Sequence, residues 1–334
     1  MSAIVNSHAI ISRARGRAVE LGLQCPQCGT FLGRWRQDEW PPEFLFSCAT
    51  CHFQLYQEDG IWRGLPPGRA AHFERFLREY ETVREAEGRG SDQPEYYLAL
   101  PYEDRSGHNS QQWEIRARTY QFLEHRILSG LESGSRSALR VLDLGAGNGW
   151  MSYRLALRRH QPVAVDVLVW KRDGLGAAVH YRQRVPNLFP RFQAELDCLP
   201  FTDNQFDVAI FNASFHYSED YVETLGEAIR CLRPGGTVII ADTAWYRRDE
   251  SGLRMIAERR EAFLQRYGFA SDAIPSLEYL TDRRLKQLEE QFGLRWQTYS
   301  PFYGVRWALR PVVAKLKRRR EPSRFRIYVA EVEK

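Results

Sequence analysis

From Ala138 onward the chain alternates short apolar runs with helical stretches, and one junction in that alternation sets the fold. The apolar run Leu139–Leu144 enters Gly145-Ala-Gly147-Asn-Gly149 and leaves as a helical segment, Met151 to Arg159. A strand that turns through glycines into a helix is the opening unit of an α/β sheet. Pro162–Asp166 reads as the second strand. Further strands are expected at 191–196, 206–211, 237–241, 294–299 and 325–331. Helical segments fall between most of them, including Val222–Leu232 and Thr281–Phe292. This order predicts a mostly parallel sheet with ligands at the carboxyl ends of its strands. There is no internal repeat.

The glycine loop lets a ligand approach the backbone, and the helix behind it offers free N–H groups. The loop is not G-x-x-x-x-G-K-[ST], which excludes a phosphate-cradling P-loop. It reads GxGxG rather than GxGxxG, which argues against a dinucleotide site. Asp166 ends the second strand, 21 residues after Gly145. A carboxylate there suits two ribose hydroxyls, with a simple strand-end cap as the alternative. Asp197, after the third strand, suits an adenine amine or a plain turn. The fourth strand leads to Asn212 and then His216, and Cys231-Leu-Arg-Pro234-Gly235-Gly236 turns into the fifth strand.

In order and spacing these blocks resemble the class I S-adenosylmethionine-dependent methyltransferases of the UbiE-like, type 11 kind, over roughly residues 110–334. The resemblance implies a Rossmann-like α/β fold whose seven-stranded sheet ends in an antiparallel hairpin. It also implies that Gly145, Ala146, Gly147 and Gly149 line the methionine part of the cofactor. Asp143 would brace that loop and the amino group. Asp166 would hold the ribose hydroxyls, Asp197 and Cys198 would meet the adenine edge, and Asn212 would border the sulfonium. A sulfonium methyl is already electrophilic, so catalysis is mainly positioning plus removal of a proton where the acceptor has one to lose. His216 lies over the expected transfer point, and its ordinary pKa of ~6.5 makes it the candidate catalytic base. Pocket wall and core histidine are its other readings. The fourth strand exits through Asn212-Ala-Ser-Phe, not the Asn-Pro-Pro-Tyr type of motif associated with exocyclic-amine methylation of nucleic acids.

Four of the six cysteines cluster near the N-terminus: Cys25-Pro-Gln-Cys28, 19 residues, then Cys48-Ala-Thr-Cys51. Two such knuckles can aim four thiolates at one point, the arrangement of a closed structural zinc site. Two disulfides are the alternative. No basic segment followed by an apolar one opens the chain, so secretion is not expected, and thiols of the cytosol stay reduced. His52 is a lesser candidate ligand, and Gly29 marks a position where positive φ is expected. Phe53 to Pro67 alternates apolar and polar residues around Asp59-Gly60, a hairpin with a proline stop. A zinc ribbon ahead of a methyltransferase core resembles the ribosomal RNA guanine-N1 methyltransferases. The ribbon carries three basic and five acidic residues, however, which disfavours a grip on phosphates.

The 334 residues suit two domains. We divide them into an N-terminal tail with weak helical periodicity (1–21), a zinc ribbon (22–67), a helical linker and cap (68–137) and a methyltransferase domain (138–334). The cap holds helices at 69–87 and 111–128. No stretch approaches the ~20 apolar residues of a membrane span. The formal net charge is +5, yet residues 301–326 alone carry nine basic residues and one acidic. This segment, an insertion between the sixth and seventh strands, sets Trp307, Leu309, Val312, Val313 and Leu316 among its cations. Such a basic amphipathic stretch suits a membrane surface or the cover of an amphiphilic acceptor. A solvated face is the plainer reading. The expected partner is a small-molecule, sugar-linked or lipid-linked acceptor, in the cytoplasm or peripheral at the membrane. RNA as substrate and a non-enzymatic scaffold are the alternatives.

Overall fold

The computed structural model describes residues 19–37, 44–132 and 138–333. The tail periodicity lies almost wholly outside the described residues, as do Asp38, Glu39, Glu43 and most of the loop before Ala138. The chain begins with an antiparallel pair, β1 (Glu20–Gln24) and β2 (Phe31–Arg36). A meander follows, of β3 (Leu45–Ser47), β4 (Gln54–Glu58) and β5 (Ile61–Arg63). Helices α1 (Pro67–Ala86), α2 (Pro94–Ala99) and α3 (Ser110–Phe122) come next. A π-helical turn, Leu123–Leu128, carries α3 into α4 (Ser129–Glu132). Then come β6 (Arg140–Leu144), α5 (Trp150–Leu157), β7 (Gln161–Asp166), β8 (Arg191–Gln193) and β9 (Phe206–Asn212). The remainder is α6 (Tyr221–Cys231), β10 (Leu232–Ala241), α7 (Asp249–Tyr267), α8 (Asp282–Phe292), β11 (Gln297–Tyr299), α9 (Val305–Ala308), α10 (Arg310–Leu316) and β12 (Ile327–Glu331).

The main sheet runs β11-β12-β10-β9-β6-β7-β8-β5-β4-β3. From β10 to β8 every pairing is parallel, and β12 is antiparallel to both β10 and β11. The mostly parallel methyltransferase-type sheet with its reversed last hairpin is therefore present. Residues after Ala138 contribute seven of its strands, β6 to β12, and β5, β4 and β3 extend it to ten. Alone, β8 would leave an unpaired edge. Instead β5 pairs with it in parallel, Trp62 opposite Phe192, and the cysteine-bearing meander continues the sheet. The two rings stack with centroids 6.0 Å apart, and Trp35 meets both edge-on.

All seven residues of β9 are buried, as a strand covered on both faces must be. Successive side chains feed opposite cores. Leu142, Leu144, Val163 and Val165 pack with α6, α8 and the ribbon residues Leu21, Leu23 and Trp62. Val141, Ala164 and Val208 pack on the other side with Trp113 and Tyr120 of α3 and with Trp150 and Leu155 of α5.

Two segments depart from the sequence reading. The 19-residue helix α7 was not expected; Gly252 is its only buried residue, so it carries no apolar core stripe. The connection after Asp166, where no helix was expected, contains a 3₁₀ stretch at Leu175–Gln183 whose Leu175, Ala177, Ala178 and Tyr181 are buried. His180 of that stretch stacks on Tyr97 (4.5 Å).

Candidate active site

The carboxyl end of β6 is stapled to β7. The N–H groups of Gly145 and Ala146 both donate to the Val165 carbonyl (2.9 and 3.0 Å). The next donor, Gly147 N–H, reaches Asp166 Oδ2 (2.8 Å), while Leu168 N–H donates to Asp166 Oδ1 (2.8 Å). Gly145 has φ of +73°, and a Cβ there would lie 2.2 Å from Cβ of Ser214. Only glycine lets the loops after β6 and β9 come this close. Ser214 Oγ in turn donates to the Leu144 carbonyl. Asp143, 1% exposed, accepts from Ser152 N–H (3.1 Å) and Oγ–H (2.7 Å) and pins the first turn of α5. Burial pushes its carboxyl up to about 7 against those hydrogen bonds.

Around this loop lies a cavity. Asp143, Gly145, Ala146, Gly147, Asp166, Asp197 and Asn212 all line it. Asn212 Oδ1 is buried with no hydrogen-bond partner, and burial also raises the Asp166 carboxyl. Two expected residues stand elsewhere. Gly149 caps α5 with φ of +78° and is not among the lining residues. Cys198 turns toward the ribbon: its thiol donates to the Pro26 carbonyl (2.8 Å), and burial pushes it up to about 12.

A second cavity abuts the first. Both share Phe76, Tyr80 and Arg84 of α1, Arg116 of α3, and Ala213 and Tyr217 after β9. His216 lines only the second. Its Nδ1 has no partner, and burial drives it down to about 4, so it is neutral at neutral pH and a weak base. Asp242, at the exit of β10, also lines this cavity. Thr119 Oγ1 donates to its Oδ1 (2.6 Å), its Oδ2 is buried without a partner, and burial raises it to about 6. Ala213 and Asp242, the residues that follow β9 and β10, both hold positive φ (57° and 52°). Strained non-glycine backbone of this kind gathers at functional sites.

The sequence reading missed Asp242 and the cap residues Tyr80, Arg84 and Arg116. A signal existed for Asp242, the carboxylate that directly follows the fifth strand. None existed for the cap, whose helices approach only through tertiary contacts: Arg69 with Glu195 (2.7 Å), His72 with Glu219 (2.6 Å), and Arg84 with Asp173.

The four thiols form a separate centre, with all four sulfur atoms within 4.8 Å of one another. Cys25 and Cys51 stand 3.5 Å apart, as do Cys28 and Cys48. Both knuckles share one backbone pattern. Cys25 N–H donates to the Thr30 carbonyl and Gly29 N–H to that of Cys25; Cys48 N–H donates to Phe53 and His52 N–H to Cys48. His52 thus occupies the place of Gly29, with φ of 61° against 74°, and is a turn residue outside the thiol cluster.

Residues 142–240 match the family described as a methyltransferase domain. The chain is 36% identical over 114 residues to an uncharacterized methyltransferase of Mycobacterium bovis, covering 34% of this chain and 42% of that one. It is 35% identical over 120 residues to the malonyl-[acyl-carrier protein] O-methyltransferase of Halorhodospira halophila, covering 35% and 39%. The chain spans less than half the length of either relative. Among solved structures, the 1,6-didemethyltoxoflavin-N1-methyltransferase of Burkholderia thailandensis, with bound 1,6-didemethyltoxoflavin and S-adenosylhomocysteine, aligns with a TM-score of 0.47 and 15% identity. That alignment covers 86% of this chain and 98% of the other.

The buried Asp143 makes a pH prediction. Its folded pKa of about 7 lies above the unfolded value of ~3.9, so the folded state holds the proton more tightly. The stability this contributes is complete below about pH 4 and is lost as pH climbs through about 7. Urea unfolding should show that decline in the wild-type protein and a shallower one in Asp143→Asn. Identical slopes would remove the buried, protonated carboxyl.

Proposed function

We propose that the chain is a class I, UbiE-like methyltransferase that uses S-adenosylmethionine to methylate a small or amphiphilic acceptor. One observation carries this reading. A cavity built on the glycine loop, Asp166 and Asp197 opens into a second cavity at the exits of β9 and β10. The first fits the cofactor by its donor set. Each Asp166 oxygen already accepts one backbone N–H and keeps a lone pair for a ribose hydroxyl. Asp197 would take the adenine amine, and the unpartnered Asn212 Oδ1 would border the sulfonium. When bound, the cofactor supplies an electrophilic methyl. The chain's own part is to hold the acceptor in line and to exclude water, which Phe76, Tyr80 and Tyr217 do from the wall shared by the two cavities.

The thiol cluster is read as a structural zinc site. Four sulfurs about 2.3 Å from one ion stand about 3.8 Å apart, close to the separations present, and four thiolates leave no open position. The β3–β5 part of the ribbon belongs to the main sheet and the ribbon is not basic, so nothing in it favours RNA docking.

Residues 301–326 are read as the contact with an anionic lipid surface. Val305, Leu309, Val312, Val313 and Leu316, on α9, α10 and the residue between them, are all exposed, with Lys315, Lys317, Arg318 and Arg319 among them. Trp307 is not part of that face. It stacks on Phe325 (5.3 Å) under the Arg310 guanidinium (3.7 Å). Arg320 is bonded to Glu258 (2.6 Å) and is also engaged inward. Among the described residues no helix is long and apolar enough to cross a membrane, so this contact is peripheral.

Three outcomes test the reading. Asp166→Ala should lower affinity for S-adenosylhomocysteine by at least roughly a hundredfold in calorimetry, as expected for loss of about 3 kcal/mol; unchanged affinity removes the ribose assignment. Metal analysis should find one zinc per chain, and chelation should lower the melting temperature; a folded, metal-free protein removes the zinc site. Leu316→Ser with Arg318→Glu and Arg319→Glu should abolish sedimentation with phosphatidylserine vesicles. Failure of the wild-type chain to sediment, or its displacement by RNA, removes the lipid contact.

A further inference from the structure

The second cavity holds four arginines, and three of them are neutralised. Arg84 is paired with Asp173, Arg89 with Glu87 (2.6 Å) and Arg259 with Glu278. Arg116 differs. Among the described residues it has no hydrogen bond or ion pair; its one contact is with the face of Trp113, 4.9 Å from the ring centroid. That contact orients the guanidinium without discharging it. Half-buried, Arg116 lines both cavities and stands where they join. Burial, with Arg89 and Arg84 as neighbouring cations, depresses it to about 10, still fully charged at neutral pH.

Asp242 is the matching anion. Its field acts on Arg116, yet the two do not reach ion-pair distance. Thr119 satisfies one carboxylate oxygen and leaves Oδ2 buried and unpartnered. A cation and an anion facing one cavity without closing on each other leave room for a ligand that serves both. Between them the walls are aromatic and aliphatic: Tyr80, Tyr217, Phe263, Ile115 and Ile274. Such walls favour a flat, unsaturated body.

We propose that the second cavity binds an aromatic hydroxy acid, its carboxylate on Arg116 and its hydroxyl on Asp242. The guanidinium fork matches a carboxylate in two parallel hydrogen bonds, which a lysine cannot reproduce. Asp242 accepts from the hydroxyl and takes its proton as the oxygen–methyl bond forms; the sulfur–methyl bond breaks and sulfur keeps the electron pair. Asp242 is the stronger base of the two available, since burial leaves His216 at about 4. This inference rests on the methyltransferase reading and assigns the acceptor of that site.

The test is calorimetry on the full chain with zinc and saturating S-adenosylhomocysteine, using isomeric hydroxybenzoates and the matching hydroxybenzamides as probes. At least one hydroxybenzoate should bind roughly tenfold or more tighter than its amide. Arg116→Gln should erase that preference, and Arg116→Lys should restore it in part. Asp242→Asn, which still accepts from Thr119, should keep the preference. With that hydroxybenzoate as acceptor it should lower kcat roughly tenfold or more while KM changes by less than about twofold. Equal affinities for acid and amide, or binding of neither set while S-adenosylhomocysteine binds, overturns the inference and leaves the methyltransferase reading standing. Failure of S-adenosylhomocysteine itself to bind overturns both.

Discussion

A parallel sheet covered on both faces leaves little of its strands in contact with ligand, and that constraint arranges the rest of this molecule. β9 is buried along its whole length, and the flanking strands feed two separate cores. Only the carboxyl edge stays open. There β6 continues toward β7 and β8 on one side while β9 and β10 depart on the other, so the loops diverge and a crevice remains between them. The clash that a Cβ on Gly145 would make with Ser214 measures how tightly the two sides of the crevice meet at its base. Every titratable group assigned a role lies along that edge or on a helix laid over it.

The cover is held by polar contacts more than by apolar burial. Helix α1 buries only Phe73 and Val83 among its 20 residues. Its position depends on Arg69 with Glu195, His72 with Glu219, and Arg84 with Asp173, and those acidic partners stand on the site's own loops. Glu195 and Asp173 are themselves buried, so each would be left as an unpaired charge if α1 lifted away. α3 is different in kind. Trp113 and Tyr120 anchor it in the core, and Thr119 links it to Asp242 and to Tyr303. A core-anchored helix thus carries Arg116, while an ion-paired helix lines the same cavities.

This contrast explains what could be read from the residues alone. The strands were legible because burial on both faces writes continuous apolar runs. The glycine loop, Asp166 and Asn212 could be placed at the cavity because they stand at strand ends. Cys198 was misplaced because a one-residue step along a loop reverses a side chain: Asp197 faces the cavity and Cys198 the ribbon. Arg84 and Arg116 lie far along the chain from the loops they cover, and nothing in their local sequence sets them apart from other helical arginines. Helix α7 was hidden for another reason. Its Leu253 and Leu264 point outward, so it lacks the periodic stripe that betrays a packed helix.

The ribbon shows how a small metal-type module becomes part of a catalytic fold. A meander as short as β3 to β5 has too little apolar surface to stand alone, and β8 alone would expose a strand edge. Joining β5 to β8 answers both, and Trp62 seals the joint against Phe192. Further contacts run from β1 to the segment that follows Asp197. Gln24 N–H donates to the Pro200 carbonyl (3.2 Å), Thr202 N–H to Gly22 (3.0 Å), and the Cys198 thiol to Pro26 between the first two clustered cysteines. The loop that carries Asp197 therefore rests on the first knuckle, and whatever fixes the geometry of the four thiols also fixes one wall of the first cavity.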